Sequence, residues 1–212
     1  LINAVDIAKK NLKKIKIVIN GAGAAAMACA KLFKSSGIPK NNIKMLDTKG
    51  VINKNRKDIN SWKKEFAVET KDKSLDDAMK NADVFLGLSA AGVVKKSMVK
   101  RMAKNPIIFA CANPDPEIKP EDIESVRNDA IIATGRSDYP NQVNNLIGFP
   151  YIFRGALDVR SRTINEEMKV AAANAIAKLA REDVPDEVVA AMGGERPHYG
   201  KNYIIPSTFD PR

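Results

Sequence analysis

The stretch that decides the fold is KIKIVINGAGAAA, residues 14–26. KIKIVIN predicts a strand, and the alanine-rich residues 23–36 predict a helix that stops before Gly37. Between them stand only glycine, alanine and glycine, so the helix opens with very little side chain. Because glycine lets a ligand come close to the backbone, we interpret this turn as a place where something lies against the main chain.

The spacing of the small residues makes that interpretation more specific. Gly21, Gly23 and Ala26 follow the pattern GxGxxA, which is typical of turns that bind dinucleotide phosphates. Gly21 would make the tight turn, Gly23 would admit the pyrophosphate, and Ala26 would let the helix pack closely on the strand. Ala22 and Ala24 belong to the same turn, and the helix N-terminus would offer free N–H groups to the phosphates. Tight strand–helix turns also use glycine for packing alone, which is the alternative.

An acidic residue at the end of the next strand supports a cofactor site. Residues 42–48, NIKMLDT, predict this strand, and Asp47 stands 21 positions after Ala26 (47 − 26). A carboxylate at about that distance contacts the adenine ribose in dinucleotide-binding domains. The alternative is a plain turn residue, because DTKG is good turn chemistry.

Strands and helices alternate along the rest of the chain. Further strands are predicted at 66–69 (FAVE), 83–89, 106–112 and 130–135. Helices are predicted at 4–13, 56–66, 74–82 with Ser74 as its cap, 92–103, 141–159 with an interruption near Pro150, and 165–180. We expect the last thirty residues to be loops.

This order of elements predicts an α/β fold: a Rossmann-like, doubly wound, mostly parallel sheet with helices on both faces. Several strands are continuous apolar runs, as parallel strands covered on both sides require. We assign residues 1–160 to an NAD(P)-binding domain and 161–212 to a C-terminal helix and loop extension of it.

Composition narrows the possible functions. The net charge is +10, yet aromatic residues make up only 6% of the chain, so stacking platforms for single-stranded nucleic acid are lacking.

No run of about 18 apolar residues exists and no signal peptide is seen, so we expect no membrane span and a cytoplasmic location. Cys29 and Cys111 fall in apolar patterns and are predicted to be buried free thiols in a reducing cytosol. With His198 as the lone histidine, a metal site is not expected.

Two further segments follow predicted strands. LSAAG (88–92) contains Ser89 and Ala90, and ANPDPE (112–117) contains Asn113. Ligands of open α/β sheets bind at the carboxyl ends of strands, so a nicotinamide would pass these residues. The alternative is that both segments are ordinary loops that contact no ligand.

A longer stretch, ATGRSDYPNQVNNLIGFPYIFRGALDVRS (133–161), resembles malic enzyme, the family that oxidatively decarboxylates malate. DTKGVI, ADVFLGLSAAGV, FACANPDPEIKPE and INEEMKVAAANAIA resemble the same family in the same order. The ending GKNYIIPSTFDPR resembles larger bacterial members, which can carry a following acetyltransferase-like domain. The resemblance covers nearly the whole chain, but only the second half of a complete malic enzyme.

The resemblance implies that the chain is the cofactor-binding half of an enzyme that converts malate to pyruvate and CO₂ while reducing NAD(P). It places the catalytic tyrosine and lysine, and the carboxylates for Mg or Mn, in a domain N-terminal to Leu1. No catalytic or metal-binding residue is therefore expected here, and the full protein is expected to be a homo-oligomer. Cofactor contacts are implied for Gly21, Gly23, Ala26 and Asp47, and substrate contacts for Asn113, Asn144 and Asn145.

Cofactor choice depends on the end of the second strand. Asp47 favours NAD, because a carboxylate accepts hydrogen bonds from the ribose 2′-hydroxyl and repels a 2′-phosphate. Lys49 can offset that charge and attract the phosphate. Because DTKG resembles NADP-using members of the family, we expect NADP, with NAD as the second choice. Two alternative functions remain at this stage: a non-catalytic dinucleotide-binding or regulatory module, and a basic nucleic-acid-binding domain.

Overall fold

The structure is a computed structural model that describes all 212 residues. Its single sheet contains the strands β1 Ile17–Asn20, β2 Ile43–Asp47, β3 Gly50–Val51, β4 Val84–Gly87, β5 Ile107–Ala110 and β6 Ile131–Thr134. Their order across the sheet is β3-β2-β1-β4-β5-β6, and every neighbouring pair is parallel except β2 with β3. The predicted mostly parallel, doubly wound sheet is confirmed, with β1 at its centre. The strand order reverses between β1 and β4, which creates a crevice at the carboxyl ends of these two strands.

Helices connect most of these strands and complete the chain after β6. They are α1 Ile2–Ile7, α2 Ala24–Ser35, α3 Ser61–Glu65, α4 Leu75–Met79, α5 Lys96–Lys100, α6 Pro120–Glu124, α7 Tyr151–Asp158, α8 Glu166–Leu179 and α9 Asp186–Ala191. Short 3₁₀ turns occupy Lys40–Asn42 and Asn145–Ile147. None of the helices combines the length and the apolar character that crossing a membrane requires.

The hydrophobic core lies on both faces of the sheet. In β1, Ile17 and Ile19 point into one apolar cluster while Val18 points into another, as the two-residue period of a strand dictates. The first cluster includes residues of α1 and α2, and the second includes residues of α4, α5 and α6. Helices on both faces are thereby confirmed.

The prediction of a strand at FAVE is wrong. Val68 makes only an isolated bridge to Asn53, and the third strand is instead the two-residue segment Gly50–Val51, antiparallel to β2. The turn after Asp47 reverses the chain so tightly that Gly50 pairs with Asp47 itself. Gly50 has φ +103°, and a Cβ there would lie 2.2 Å from the carbonyl oxygen of Lys73, so the turn requires glycine.

Several helices are shorter than predicted because local caps define them. The first ends at Ile7, and Lys9 already has the left-handed φ of 55°, so it does not reach residue 13. The third begins only after Asn60, whose side chain accepts a hydrogen bond from the Lys63 N–H. The predicted Ser74 cap is confirmed and forms a reciprocal capping box with Asp77.

The region after β6 also differs from the prediction. Residues 141–159 do not form one long helix: Asn144 caps a 3₁₀ turn, and α7 begins after Pro150. The last thirty residues are not all loop, since α9 follows Pro185 with two acidic residues in its first turn. Cys29 and Cys111 are free but only partly buried, at the edge of the first apolar cluster. Burial raises the pKa of the Cys111 thiol to about 12.

Candidate cofactor site

The turn between β1 and α2 contains two glycines, of which the fold requires only one. Gly21 has φ +130°, and a Cβ on it would stand 2.5 Å from the carbonyl oxygen of Leu88. Gly23 has an extended backbone that any residue can adopt, and a Cβ on it would meet nothing within 4 Å. The fold therefore needs glycine at position 21, whereas nothing in this chain requires glycine at position 23.

The N-terminus of α2 is suited to an anion. Gly23 is its N-cap, no side chain caps the first turn, and no acidic residue stands there. The first N–H groups of a helix have no partner within the helix, and its dipole places partial positive charge at this end. Ala26 is buried in the core beneath the turn. The open space at Gly23 thus fits a phosphate held by main-chain N–H groups.

A groove of about 520 Å³ begins at this turn and runs along α2 between α3 and α8. Its lining includes Ala22, Gly23, Ala24, Met27, Ala28, Lys31, Asn60, Trp62, Lys63, Glu166 and Lys169. The Lys31 ammonium lies 4.8 Å from the centre of the exposed Trp62 ring. Three lysines and one glutamate give the groove a net positive charge, which suits a phosphate-bearing ligand.

Asp47, at the end of β2, is held by two cations. Arg56 donates to both carboxylate oxygens of Asp47, at 2.7 and 3.0 Å, and the Lys63 ammonium donates to one of them at 2.7 Å. The main-chain N–H of Lys49 adds a third donor at 3.0 Å. Burial works to raise the pKa of Asp47, but the hydrogen bonds from Arg56 and Lys63 outweigh it and hold this pKa at about 2.

Lys49, the residue singled out in the sequence, touches Asp47 only through its backbone. Its ammonium pairs with Asp58 at 3.0 Å, and its side chain is 68% exposed. Arg56 bridges Asp58 and Asp47, so the five side chains form one connected cluster. Sequence reasoning missed Lys63, because it reaches Asp47 from the separate helix α3, sixteen positions along the chain.

The loops after β4 and β5 lie side by side at the same edge of the sheet. Ser89, Ala90 and Asn113 are exposed there. The Asn20 amide at the end of β1 donates to the Ser89 hydroxyl at 2.7 Å. Behind the loops, the fully buried carboxylate of Glu117 accepts hydrogen bonds from both of them. Glu117 did not stand out in the sequence, where it is one more acidic residue in a polar turn.

The three asparagines with implied substrate roles differ in their availability. The Asn144 side-chain oxygen accepts the Leu146 N–H at 3.0 Å and is used as a local cap. Asn145 and Asn113 are exposed, and neither side chain hydrogen-bonds within the chain. Both amides, together with the side-chain N–H₂ group of Asn144, are therefore free to meet a ligand.

Next to Asn145 lies an exposed apolar surface, hereafter the α7 surface. It consists of the large side chains of Val143, Leu146, Phe149, Tyr151, Phe153, Leu157 and Val159. Their exposed fractions run from 40% at Val143 to 73% at Leu157. Phe149 and Phe153 pack edge to face with ring centres 5.4 Å apart. A patch of this kind is typical of a surface that another polypeptide covers.

Dinucleotide-binding α/β domains form a class that combines three features of this structure. These are the crevice where the strand order reverses, an α2 N-terminus without a capping side chain, and a carboxylate at the end of β2. Comparison with known proteins identifies the family within this class. The family model described as malic enzyme, NAD binding domain, matches residues 1–190. The chain belongs to the malic enzyme family and is its NAD-binding domain.

Similar proteins share the whole chain but are longer than it. The NADP-dependent malic enzyme of Rhizobium meliloti (strain 1021) is 59% identical over 100% of this chain, which covers 28% of that protein. The NADP-dependent malic enzyme of Halomonas elongata is 53% identical, and the chain covers 50% of it. An NAD-dependent malic enzyme of Rhizobium meliloti is 51% identical over the whole chain, which covers 28% of it. The chain thus spans between about a quarter and a half of these relatives.

Solved structures agree with the fold. A crystal structure of the malic enzyme of Entamoeba histolytica matches 99% of this chain with a TM-score of 0.85 and 36% identity. That match covers 42% of the solved chain. The NAD-dependent malic enzyme of Thermotoga maritima matches 99% of this chain with a TM-score of 0.82 and 35% identity, and 52% of the solved chain is covered.

Proposed function

We propose that the chain is the cofactor-binding half of an NADP-dependent malic enzyme, which oxidises malate and releases pyruvate and CO₂. The observation that carries this proposal is Gly23, a glycine that the fold does not need at the start of the phosphate-binding helix. A side chain there would stand in the space that a pyrophosphate occupies in dinucleotide-binding domains.

The exposed residues of the crevice would take the following roles. Main-chain N–H groups at the start of α2, from Gly23 onwards, bind the pyrophosphate, with Ala22 and Ala24 lining the turn. The Gly21 N–H is already donated to the carbonyl oxygen of Leu46 at 2.9 Å, so Gly21 serves by shaping the turn. Ser89, Ala90 and Asn113 lie along the nicotinamide half. Asn113, Asn145 and the side-chain N–H₂ of Asn144 donate to the carboxylate or hydroxyl of malate without adding charge. When bound, the nicotinamide accepts the hydride from malate.

The charges around Asp47 support NADP over NAD. Arg56, Lys63 and Lys49 oppose Asp47 and Asp58, which leaves one net positive charge (3 − 2) at this edge. An isolated carboxylate would repel a 2′-phosphate, but this one is already matched by a bidentate arginine and a lysine. Arg56 and Lys63 can turn from the carboxylate towards a phosphate, whose geometry the guanidinium fits.

The rest of the chemistry falls to the N-terminal domain that the longer relatives suggest. No group of three or more His, Cys, Asp or Glu in this chain is arranged to hold a metal ion. We place the acid, the base and the metal ligands in that domain, which would cover the α7 surface and bring malate against Asn113 and Asn145. A homo-oligomeric, cytoplasmic enzyme remains the prediction for the full protein.

The first experiment titrates this chain calorimetrically with NADP⁺, with NAD⁺ and with a DNA duplex, at low and at physiological salt. We expect binding of NADP⁺ in preference to NAD⁺ and no pyruvate from malate with this chain alone, even with Mn²⁺. Salt-dependent DNA binding without dinucleotide binding would favour a nucleic-acid-binding domain instead. Pyruvate formation by this chain alone would show that the catalytic residues lie in this chain and not in the N-terminal domain.

A second experiment separates the enzyme from a regulatory module. The full-length protein is assayed for malate-dependent reduction of NADP⁺. Turnover supports the proposal, whereas dinucleotide binding without any turnover of malate would favour the regulatory alternative.

A further inference from the structure

We propose that Glu117 is a positioning residue that clamps the two loops along the nicotinamide half of the crevice, and that its buried negative charge favours the oxidised cofactor over the reduced one. The loops are LSAAG (88–92) and ANPDPE (112–117). This inference rests on the proposed function in one respect, namely that a nicotinamide dinucleotide binds here.

The side chain of Glu117 joins the carboxyl ends of two parallel strands. One carboxylate oxygen accepts the main-chain N–H of Ser89 at 3.0 Å, and the other accepts that of Ala112 at 3.0 Å. The Ser89 hydroxyl lies 3.4 Å from the first oxygen and itself accepts the Asn20 amide at 2.7 Å. The network therefore runs from β1 through β4 to β5, along the line where a dinucleotide crosses the sheet.

The main chain of the second loop reinforces this connection. The Val94 N–H donates to the carbonyl oxygen of Glu117 at 3.0 Å, and the Gly92 N–H donates to that of Pro116 at 3.2 Å. The two loops are thus held together on both sides of the carboxylate. The Glu117 side chain therefore fixes Ser89 relative to Ala112, the residue before Asn113.

The sheet makes room for this carboxylate by omitting a side chain. A Cβ on Gly87 would lie 2.2 Å from the carboxyl carbon of Glu117. Glu117 has no exposed surface, and no lysine, arginine or histidine pairs with it. A buried carboxylate held by neutral donors alone is costly, so its retention here calls for a role beyond packing.

The chemistry of the group explains why glutamine would not serve. Two main-chain N–H groups converge on Glu117 from different strands, and only a carboxylate offers an acceptor oxygen to each. Each carboxylate oxygen faces a main-chain N–H donor, an arrangement that matches the acceptor-only character of a carboxylate. An oxidised nicotinamide ring is positively charged and a reduced ring is neutral, so a fixed negative charge behind these loops stabilises the oxidised form more.

The test uses four ligands: NADP⁺, NADPH, NAD⁺ and 2′-phospho-ADP, which lacks the nicotinamide. In Glu117→Gln we expect affinity for NADPH to fall by about threefold, because the loops lose hydrogen bonds to a charged group. Affinity for NADP⁺ should fall about tenfold or more, because its positively charged ring also loses the nearby negative charge. Binding of 2′-phospho-ADP should be unchanged. Glu124→Gln, an exposed residue at the end of α6, is the control and should bind all four like the wild type.

Glu117→Asp tests the clamp separately, because it keeps the charge but is too short to reach both N–H groups. We expect weaker binding of both dinucleotides with the wild-type ratio between them. Thermal melting of each variant verifies folding. Equal losses for NADP⁺ and NADPH in Glu117→Gln, or wild-type affinities in Glu117→Asp, would overturn the inference. A wild type that binds none of the four ligands would instead refute the proposed function, and the inference with it.

Discussion

The two sides of the crevice differ in how complete they are. At the end of β2, the Asp47 carboxylate is matched by Arg56 and Lys63, and every charged group of the cluster has a partner within the chain. Beyond β5 and β6, the amides of Asn113 and Asn145 point to solvent without partners, next to the uncovered α7 surface. On the proposed function, the difference teaches that this chain alone would recognise the adenosine half of the cofactor, whereas the reacting half would need a second surface.

The largest effect should come from the phosphate turn that joins the two sides. Gly23→Val should lower affinity for NADP⁺ by about 100-fold or more while leaving the melting temperature close to that of the wild type, because the side chain enters space that is empty in the fold and that the pyrophosphate would use on the proposed function. Isothermal titration and thermal melting measure the two quantities. Gly21→Val is the matched contrast and should destabilise the protein itself, since its Cβ meets a carbonyl oxygen. A folded Gly23→Val protein with unchanged affinity would contradict this site.

Arg56→Ala should change cofactor choice. Without the guanidinium, the Asp47 carboxylate loses its bidentate partner and repels a 2′-phosphate, so the preference for NADP⁺ over NAD⁺ should fall by about 10- to 100-fold. Dissociation constants for both cofactors give the ratio. Lys49→Ala is the graded comparison and should lower the ratio in the same direction by about threefold or less, because its ammonium is exposed and pairs with Asp58. An unchanged ratio in Arg56→Ala would mean that the cluster serves stability alone.

Asp47 should also contribute to stability in a pH-dependent way. Its pKa in the folded protein is about 2, below the value of about 3.9 expected when unfolded. Ionised Asp47 therefore stabilises the fold by about 2 kcal/mol above pH 5, and this contribution is lost as the pH falls through 4 towards 2. Urea unfolding of the wild type and Asp47→Asn should show that difference at pH 7 and a closing gap at lower pH. A gap independent of pH would exclude this explanation.

The smallest effect separates the two neighbouring asparagines on the open side. Asn144→Ala should lower the free energy of unfolding by about 0.5–1 kcal/mol, because its side chain caps the 3₁₀ turn. Asn145→Ala should leave stability unchanged within about 0.3 kcal/mol, as expected for an exposed side chain without partners. In the full-length protein, Asn145→Ala should instead raise KM for malate. Equal stability losses in both variants would show that Asn145 also supports the fold.

Much of this arrangement follows from local sequence. The strand-to-helix turn with GxGxxA and the acid at Asp47 lie close together in the chain, and alternating elements predict the sheet. Contacts between distant segments do not follow in this way. Lys63 reaches Asp47 from another helix, and Glu117 is buried only because Gly87, thirty positions earlier, leaves room for it. The strand at residues 50–51 is too short to leave a pattern.

Gly87 constrains how this domain can change over evolutionary time. Even alanine at position 87 would overlap the Glu117 carboxyl group, so the two positions are not free to vary independently. A lineage can acquire a larger residue at position 87 only after residue 117 has become shorter. Once position 87 carries a side chain, glutamate can no longer return at position 117. The order of substitutions, and not only their identity, thus decides which descendants of this sequence can fold with the same pair of loops.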